Sequence, residues 1–190
     1  MNLWFRLLRL LVIHRWPGGP EPCPVLGPCR THFRVGPTDL DLFDHVNNGK
    51  YFSLLDLGRI DLLARSGLLA ELRERGWFPV VTAETIQFYR PLRWLQPFEI
   101  GTTILGWDDR SFIVRQTVLR PTEDGDEQVV ADAIVRGLIL KPSGRAESAE
   151  VLRLVGYTDD PPPLPTWVAE WVAAQDATKP HRRTRLSRAA

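Results

Sequence analysis

The segment from Asn48 to Ser66 most constrains the fold of this chain, because its apolar residues occupy more than one face of a predicted helix. Those residues are Tyr51, Phe52, Leu54, Leu55, Leu57, Ile60, Leu62 and Leu63. A helix that is apolar around most of its circumference must be buried against other elements. Gly67 follows at the position where glycine commonly ends a helix. The fold must therefore cover one long helix, of about 28 Å at 1.5 Å per residue.

After Trp77 the sequence changes to the two-residue alternation of β-strands. The alternating segments are 80–88, 98–104, 112–118 and 129–139, and a short strand is predicted before the helix at 31–35. Five antiparallel strands make a sheet about 24 Å wide. The long helix can lie across the concave face of such a sheet and fill it. The element order thus predicts an α+β fold, a curled antiparallel sheet of about five to six strands wrapped around one buried helix.

Around this pattern the sequence divides into four parts. Residues 1–30 contain an amphipathic segment and a Pro-rich linker, and residues 31–142 contain the sheet and the long helix. Residues 143–176 are predicted to form a helical extension. Its two amphipathic helices are predicted over 146–155 and 165–174. Residues 177–190 are basic without apolar periodicity, which predicts a disordered tail. The length suits one domain with such ends.

The first fifteen residues carry apolar side chains on one helical face: Leu3, Trp4, Leu7, Leu8, Leu11 and Val12. The segment is too short, and with Arg6 and Arg9 too charged, to span a bilayer, which takes about 20 apolar residues. It also lacks the small-residue cleavage site of a signal peptide. We favour a helix packed on the domain or on a partner subunit, in a cytoplasmic protein. The alternative is peripheral membrane contact through residues 1–15, with the arginines among the head groups.

Charge and cysteine content exclude some functions. The formal net charge is +1, so no general affinity for nucleic acid is expected. Cys23 and Cys29 lack a second Cys/His pair at metal-ligand spacing, so no metal site is expected. Two free thiols in a reducing compartment are the favoured interpretation, and a disulfide between them stays open.

The loop before the long helix concentrates chemically useful side chains: Asp39, Asp41, Asp44, His45, Asn47 and Asn48. A helix N-terminus has unpaired N–H groups and the positive end of the helix dipole. A carboxylate beside it can activate water or attack an acyl carbon, while the N–H groups hold the developing oxyanion. Structural roles stay open for each residue, since asparagines cap helices and aspartates shape turns.

The run Asp39-Leu40-Asp41-x-x-x-His45-Val46-Asn47-Asn48-x-x-Tyr51 resembles the signature of hotdog-fold acyl-CoA and acyl-carrier-protein thioesterases. Three further blocks, at 87–92, 97–99 and 106–112, resemble the thioesterase superfamily member 6 group, which is related to the 4-hydroxybenzoyl-CoA thioesterases. The resemblance covers residues 31 to 140. It implies a hotdog fold and a homodimer or homotetramer with sheets joined edge to edge. It also implies that neither metal nor redox cofactor is needed, coenzyme A being part of the substrate.

The resemblance also implies roles for individual residues. Asp41 matches the nucleophile or general base of the 4-hydroxybenzoyl-CoA enzymes. His45 matches a catalytic histidine of plant acyl-carrier-protein thioesterases. Those enzymes have an asparagine where this chain has Phe43, and they use an additional Cys or Glu that has no counterpart here. Asn47 and Asn48 are expected to cap the helix, to hold the loop and to form part of the substrate-binding site. Tyr51 is expected to line the thioester pocket or to pack in the core.

The function expected from these residues is hydrolysis of an acyl-CoA or acyl-carrier-protein thioester to free acid and thiol, within lipid metabolism. Two alternatives stay open. A hotdog hydratase or dehydratase would use His45 with an acidic residue such as Asp56. A non-catalytic protein would bind acyl-CoA or a fatty acyl group without turnover.

Overall fold

The computed structural model describes residues 3–13 and 19–178 of the chain. The helices are α1 (Leu3–Ile13), α2 (Asn48–Arg65), α3 (Leu68–Glu74), α4 (Ser148–Arg153) and α5 (Thr166–Ala177). The strands are β1 (Cys29–Arg34), β2 (Phe78–Phe88), β3 (Pro97–Trp107), β4 (Phe112–Pro121), β5 (Glu127–Lys141) and β6 (Gly144–Arg145). The predicted order of a short strand, a long helix and a run of long strands is confirmed. The expectation that these long strands are linked one to the next as hairpins is wrong for the first of them, because β2 pairs with β5 and not with β3.

The strands form one antiparallel sheet in the order β1-β3-β4-β5-β2, with β6 paired to β5. Helix α2 is buried against this sheet in two apolar clusters. Leu55 packs near Ile100 in one cluster, and Leu62 packs near Ile104 in the other. The predicted architecture of a curled sheet around one buried helix is therefore correct, and it is the hotdog architecture.

Gly58 is where α2 approaches the sheet most closely among the described helical glycines. A Cβ atom there would lie 3.0 Å from Ile100 Cγ2 and 3.1 Å from both Thr102 Oγ1 and Gln116 Nε2. All three neighbours are fully buried. A side chain at position 58 would force the helix away from the sheet, so glycine sets the spacing between the two layers.

Some predicted boundaries were wrong. Strand β1 begins at Cys29 rather than Thr31, because Cys29 pairs with Thr102 of β3. The C-terminal helices are Ser148–Arg153 and Thr166–Ala177, so the first is shorter than predicted and the second ends later. Helix α5 packs Val168 against the outer face of the sheet. Apart from Ala177 and Thr178, the predicted disordered tail lies outside the described residues.

The N-terminal helix contacts the domain, as favoured, but not through the predicted apolar face. Arg6 and Leu10 are buried, whereas Trp4 and Leu8 are exposed. No helix within residues 3–13 and 19–178 is long and apolar enough to cross a bilayer. Cys23 and Cys29 are both free thiols, as favoured.

Candidate active site

The loop between β1 and α2 is closed by hydrogen bonds between its two limbs. The Asp41 amide donates to the His45 carbonyl at 2.8 Å, and the Asn47 amide donates to the Asp39 carbonyl at 2.9 Å. Leu40 and Val46 form a β-bridge between these bonds. Asp44, at the tip, has a positive φ of 59°, a conformation that aspartate tolerates better than most residues. The chain thereby holds Asp41 beside the residues that begin α2.

The two acids of the Asp-x-Asp pair have different environments. The Asp39 side chain is buried, accepts a hydrogen bond from the Gly36 amide at 2.8 Å and forms an ion pair with Arg6. The Asp41 side chain is half-buried, and its Oδ1 accepts a hydrogen bond from the Phe43 amide at 2.8 Å. The Asp39 side chain therefore holds the loop, whereas the Asp41 carboxylate is partly open to solvent.

Asn47 is the N-cap of α2. Its Oδ1 accepts the Gly49 amide at 2.9 Å, and its carbonyl accepts the Lys50 amide at 2.8 Å. Asn48 is the first helical residue and is exposed. An amide at the first helical position has no partner within the helix and lies at the positive end of the dipole. The Asn48 amide is thus suited to bind an anionic oxygen.

His45 and Tyr51 differ in how deeply they are buried. His45 is half-buried, and its carbonyl accepts the Asp41 amide. Tyr51 lies in the core, with 2% of its surface exposed and its ring centroid 5.0 Å from that of Phe88 in an edge-on contact. Burial raises the pKa of Tyr51 to about 12. Tyr51 connects the first turn of α2 to the end of β2.

His45 and Asp56, the pair considered for a hydratase, are not brought together. Asp56 is exposed and pairs with Arg59 at 3.3 Å. It lies eight residues beyond the first residue of α2, a rise of about 12 Å, whereas His45 precedes the helix. The structure therefore provides no acid partner at position 56 for His45 within this subunit.

An apolar cavity of about 150 Å³ lies along the C-terminal half of α2. Its walls come mainly from α2, the start of β2, β3, β4 and the end of β5, and they include Ile60, Leu63, Val80, Phe112 and Leu138. Asp56 and Arg59 also line it. Within the described residues, no cluster of three or more His, Cys, Asp or Glu side chains suits a metal ion.

A polar network beside this cavity was not predicted. Arg59 donates to Gln116 Oε1 at 2.7 Å and to Glu84 Oε1 at 3.2 Å. Gln116 is fully buried and donates to the Leu55 carbonyl at 2.8 Å. Burial raises the pKa of Glu84, which Arg59 partly opposes. The signal in the sequence was a glutamine among the inward-facing residues of β4, between Val114 and Val118.

Residues 35–172 match the family model of the thioesterase-like superfamily. The chain belongs to this superfamily. The matched range includes the loop of Asp41, helix α2 and all the strands of the sheet except β1, so the expected resemblance to hotdog thioesterases is confirmed.

Relatives in the superfamily agree with this assignment. Protein THEM6 of Xenopus laevis is 30% identical over 149 residues, which are 78% of this chain and 69% of that protein. Protein THEM6 of Danio rerio is 33% identical over 60% of this chain and 57% of its own length. Thioesterase lcsJ of Purpureocillium lilacinum is 26% identical over 62% of this chain and 45% of its own length.

Solved structures show the same fold. The probable thioesterase YbaW of Escherichia coli has a TM-score of 0.59 at 25% identity, covering 66% of this chain and 95% of that one. The 4-hydroxybenzoyl CoA thioesterase of Pseudomonas sp. strain CBS-3 has a TM-score of 0.58 at 21% identity, covering 66% of this chain and 97% of that one. Each of these structures covers about two thirds of this chain, so the remaining third lies outside the shared hotdog domain.

Proposed function

We propose that this chain hydrolyses acyl-CoA thioesters and that Asp41 is the nucleophile or general base. The observation that carries the proposal is the half-buried Asp41 carboxylate, held by the loop beside the first residues of α2. A carboxylate next to helix N–H donors is a complete minimal arrangement for thioester cleavage, because the thiolate leaves without a strong acid. The reaction as proposed requires neither metal nor redox cofactor.

The proposed reaction places the thioester carbonyl oxygen on the Asn48 amide. In the nucleophilic route, an Asp41 oxygen attacks the carbonyl carbon, the C–S bond breaks and the CoA thiolate leaves. Water then hydrolyses the resulting mixed anhydride and regenerates the carboxylate. In the general-base route, Asp41 takes a proton from water as that water attacks. His45, whose backbone closes the loop, orients Asp41 in either route.

We further propose that the enzyme is a homodimer joined through β2. In the described ranges this strand is one of the two edges of the sheet, the other being the six-residue β1. It is eleven residues long and exposes Phe78, Val81 and Phe88. A long apolar edge strand favours pairing with a second copy. Antiparallel pairing about a two-fold axis sets the Phe88 end of one strand beside the Phe78 end of the other.

Such a dimer would complete the site. The first turn of α2 contacts Phe88 through Tyr51, whereas Pro79, Val80 and Val81 line the apolar cavity. Pairing of the β2 strands therefore brings the Asp41 loop of one subunit towards the cavity of the other. An apolar cavity of about 150 Å³ can hold a benzene-sized group, so we propose that it receives an aryl or short acyl group.

The test is thiol release by the full-length protein from a panel of aromatic and aliphatic acyl-CoAs, with acyl-carrier-protein substrates alongside. We expect turnover with wild type and a loss of about a thousandfold or more in kcat for Asp41→Asn, with folding intact. Asp44→Asn is the matched control, since Asp44 lies exposed in the same loop and asparagine tolerates its positive φ. We expect it to retain activity.

Two outcomes would replace this proposal. Saturable acyl-CoA binding without thiol release, unchanged by Asp41→Asn, would indicate a binding protein. With an enoyl-CoA added to the panel, loss of enoyl absorbance without thiol release would indicate a hydratase.

A further inference from the structure

Helix α1 lies on the domain with its apolar side outwards. Trp4, Phe5 and Leu8 are 74%, 59% and 59% exposed, whereas Arg6 is only 5% exposed. Ordinary surface helices have the opposite arrangement, with the apolar stripe facing the core. A group of large apolar side chains on one exposed helix face is typical of a surface that binds something else.

The orientation of α1 is fixed by polar contacts. Arg6 Nη2 donates to the Arg34 carbonyl at 3.1 Å and forms the ion pair with Asp39. The Arg6 guanidinium also lies 5.9 Å from the centroid of the Phe33 ring. Rotating α1 to bury its apolar face would break these contacts and leave the Asp39 carboxylate buried without its cation. The outward apolar face is therefore part of the folded structure.

A second exposed apolar pair lies next to α1. Trp94 and Leu95 are 60% and 51% exposed. Their turn is joined to the end of β1, because Arg34 donates to the Leu95 carbonyl at 2.7 Å and the Leu95 amide donates to the Val35 carbonyl at 3.1 Å. Arg34 thus contacts both Arg6 of α1 and this turn. We call Trp4, Phe5, Leu8, Trp94 and Leu95 together the apolar rim.

The surface beside the rim is rich in arginine. A cavity of about 480 Å³ between α1, β1 and α2 is lined by Arg6, Arg9, Arg30, Arg34 and Arg65, against two acids, Glu21 and Asp61. Arg30 pairs with Glu99 and Glu127, and Arg65 pairs with Asp61. Within the described residues Arg9 and Arg34 form no ion pair, so these two supply the basic character of the cavity. Asp61 is buried and accepts the Thr31 hydroxyl at 2.6 Å. In the part of the chain that the structure describes, the buried Nε and Nη1 of Arg6 have no hydrogen-bond partner. A phosphate oxygen in the cavity is a suitable acceptor for such donors.

We propose that the apolar rim and this basic cavity dock the protein on a membrane that contains anionic phospholipid. Tryptophan at the rim suits the membrane–water interface, and the arginines suit lipid phosphates. Apolar insertion and electrostatic attraction together give the two signals that stable peripheral binding needs. A protein partner would not require the cavity to be basic, whereas an anionic membrane accounts for both features.

Docking in this way has a consequence for the loop of Asp41. Arg6 contacts Asp39, two residues from Asp41, and the tip residues Leu42 and Phe43 are 98% and 77% exposed. The loop would therefore lie close to the lipid surface. The docking proposal does not rest on the proposed hydrolysis, since it is tested by binding alone.

The experiment is co-sedimentation of the full-length protein with phosphatidylcholine vesicles, with and without phosphatidylserine, at low and high salt. We expect binding only to the phosphatidylserine vesicles, weakened by salt. The double variant Trp4→Ser/Trp94→Ser should bind at least about tenfold more weakly. Burying a single aromatic side chain in the membrane is expected to strengthen binding by more than about tenfold. Arg9→Glu should reduce the phosphatidylserine-dependent part of binding.

Trp167→Ser is the matched control. Trp167 is also an exposed tryptophan, at 50%, but it lies on α5, which packs on the outer face of the sheet. We expect this variant to bind like wild type. The proposal is overturned if wild type stays in the supernatant, or if the rim variant and the control bind equally. Light scattering then identifies the alternative occupant. If wild type does not bind vesicles and the rim variant has a lower molar mass in solution than wild type, a second copy of the chain covers the rim.

Discussion

Arg6 of helix α1 forms a buried ion pair with Asp39, and this pair joins the N-terminal helix to the loop that holds Asp41. Asp39 and Asp41 are two residues apart, yet only Asp39 is enclosed by protein groups. The pair therefore separates a structural acid from the acid proposed to act on substrate. This separation leads to opposite expectations for two very similar substitutions.

We expect Asp39→Asn to lower the free energy of unfolding by about 3 kcal/mol, because it leaves the Arg6 guanidinium buried without its counter-charge. Asp41→Asn should change that free energy by no more than about 0.5 kcal/mol, since its side chain is partly solvated. Urea denaturation of both variants measures the difference. Arg6→Met/Asp39→Asn should recover part of the loss. Equal stability of Asp39→Asn and wild type would contradict a structural role for the pair.

The main architecture could be predicted because its signals are local. The apolar residues of 48–66 and the alternation after Trp77 each identify an element without knowledge of its neighbours. The inverted orientation of α1 could not be predicted in this way. It depends on Arg6 meeting Asp39, 33 positions along the chain, and apolar periodicity alone favours the opposite face.

The closed loop around Asp41 was predictable to a similar extent, because the residues that shape it are consecutive. The catalytic role of Asp41 stays a prediction. The link between Arg59 and Gln116 joins α2 to β4 across 57 positions, and no local pattern indicates it. The start of β1 at Cys29 likewise depends on pairing with Thr102.

Gly58→Ala should destabilise the protein, although alanine is the better helix former. The propensity gain is about 1 kcal/mol, but the added methyl group would press on Ile100, Thr102 and Gln116, which are all fully buried and cannot move aside. Overpacking of this kind costs about 1–3 kcal/mol. We expect a net loss of about 1 kcal/mol by urea denaturation.

Gly101→Ala is the control for that substitution. Its Cβ would meet only the Thr117 carbonyl, at an ordinary 3.9 Å. We expect Gly101→Ala to be neutral or slightly stabilising. A stabilised Gly58→Ala protein would show that the helix and the sheet can separate without cost.

Tyr51 should make stability fall in alkaline solution. Its pKa is raised from the ordinary value of about 10 to about 12 by burial. The folded state therefore holds the proton more tightly than the unfolded state. This contribution is complete below pH 10 and is lost as the pH rises through about 12, by about 3 kcal/mol in total.

The measurement is urea denaturation at a series of pH values between about 9 and 12. Tyr51→Phe should remove the part of the decline that belongs to this phenol. If the free energy of unfolding fell equally with pH in wild type and Tyr51→Phe, the fall would come from other titrating groups.

Filling the apolar cavity should change substrate preference without abolishing the reaction. Ile60 lines the cavity and is only half-buried, so Ile60→Trp can place its larger side chain in that space at modest cost. If the cavity receives the acyl group, kcat/KM for aryl-CoA substrates should fall by about tenfold or more, because a lost apolar pocket costs about 1–3 kcal/mol of discrimination. Acetyl-CoA, which has almost nothing to place there, should be affected far less. Ile60→Leu keeps the volume and should retain the wild-type preference. A parallel loss for every substrate in Ile60→Trp would mean that the cavity supports the fold rather than the acyl group.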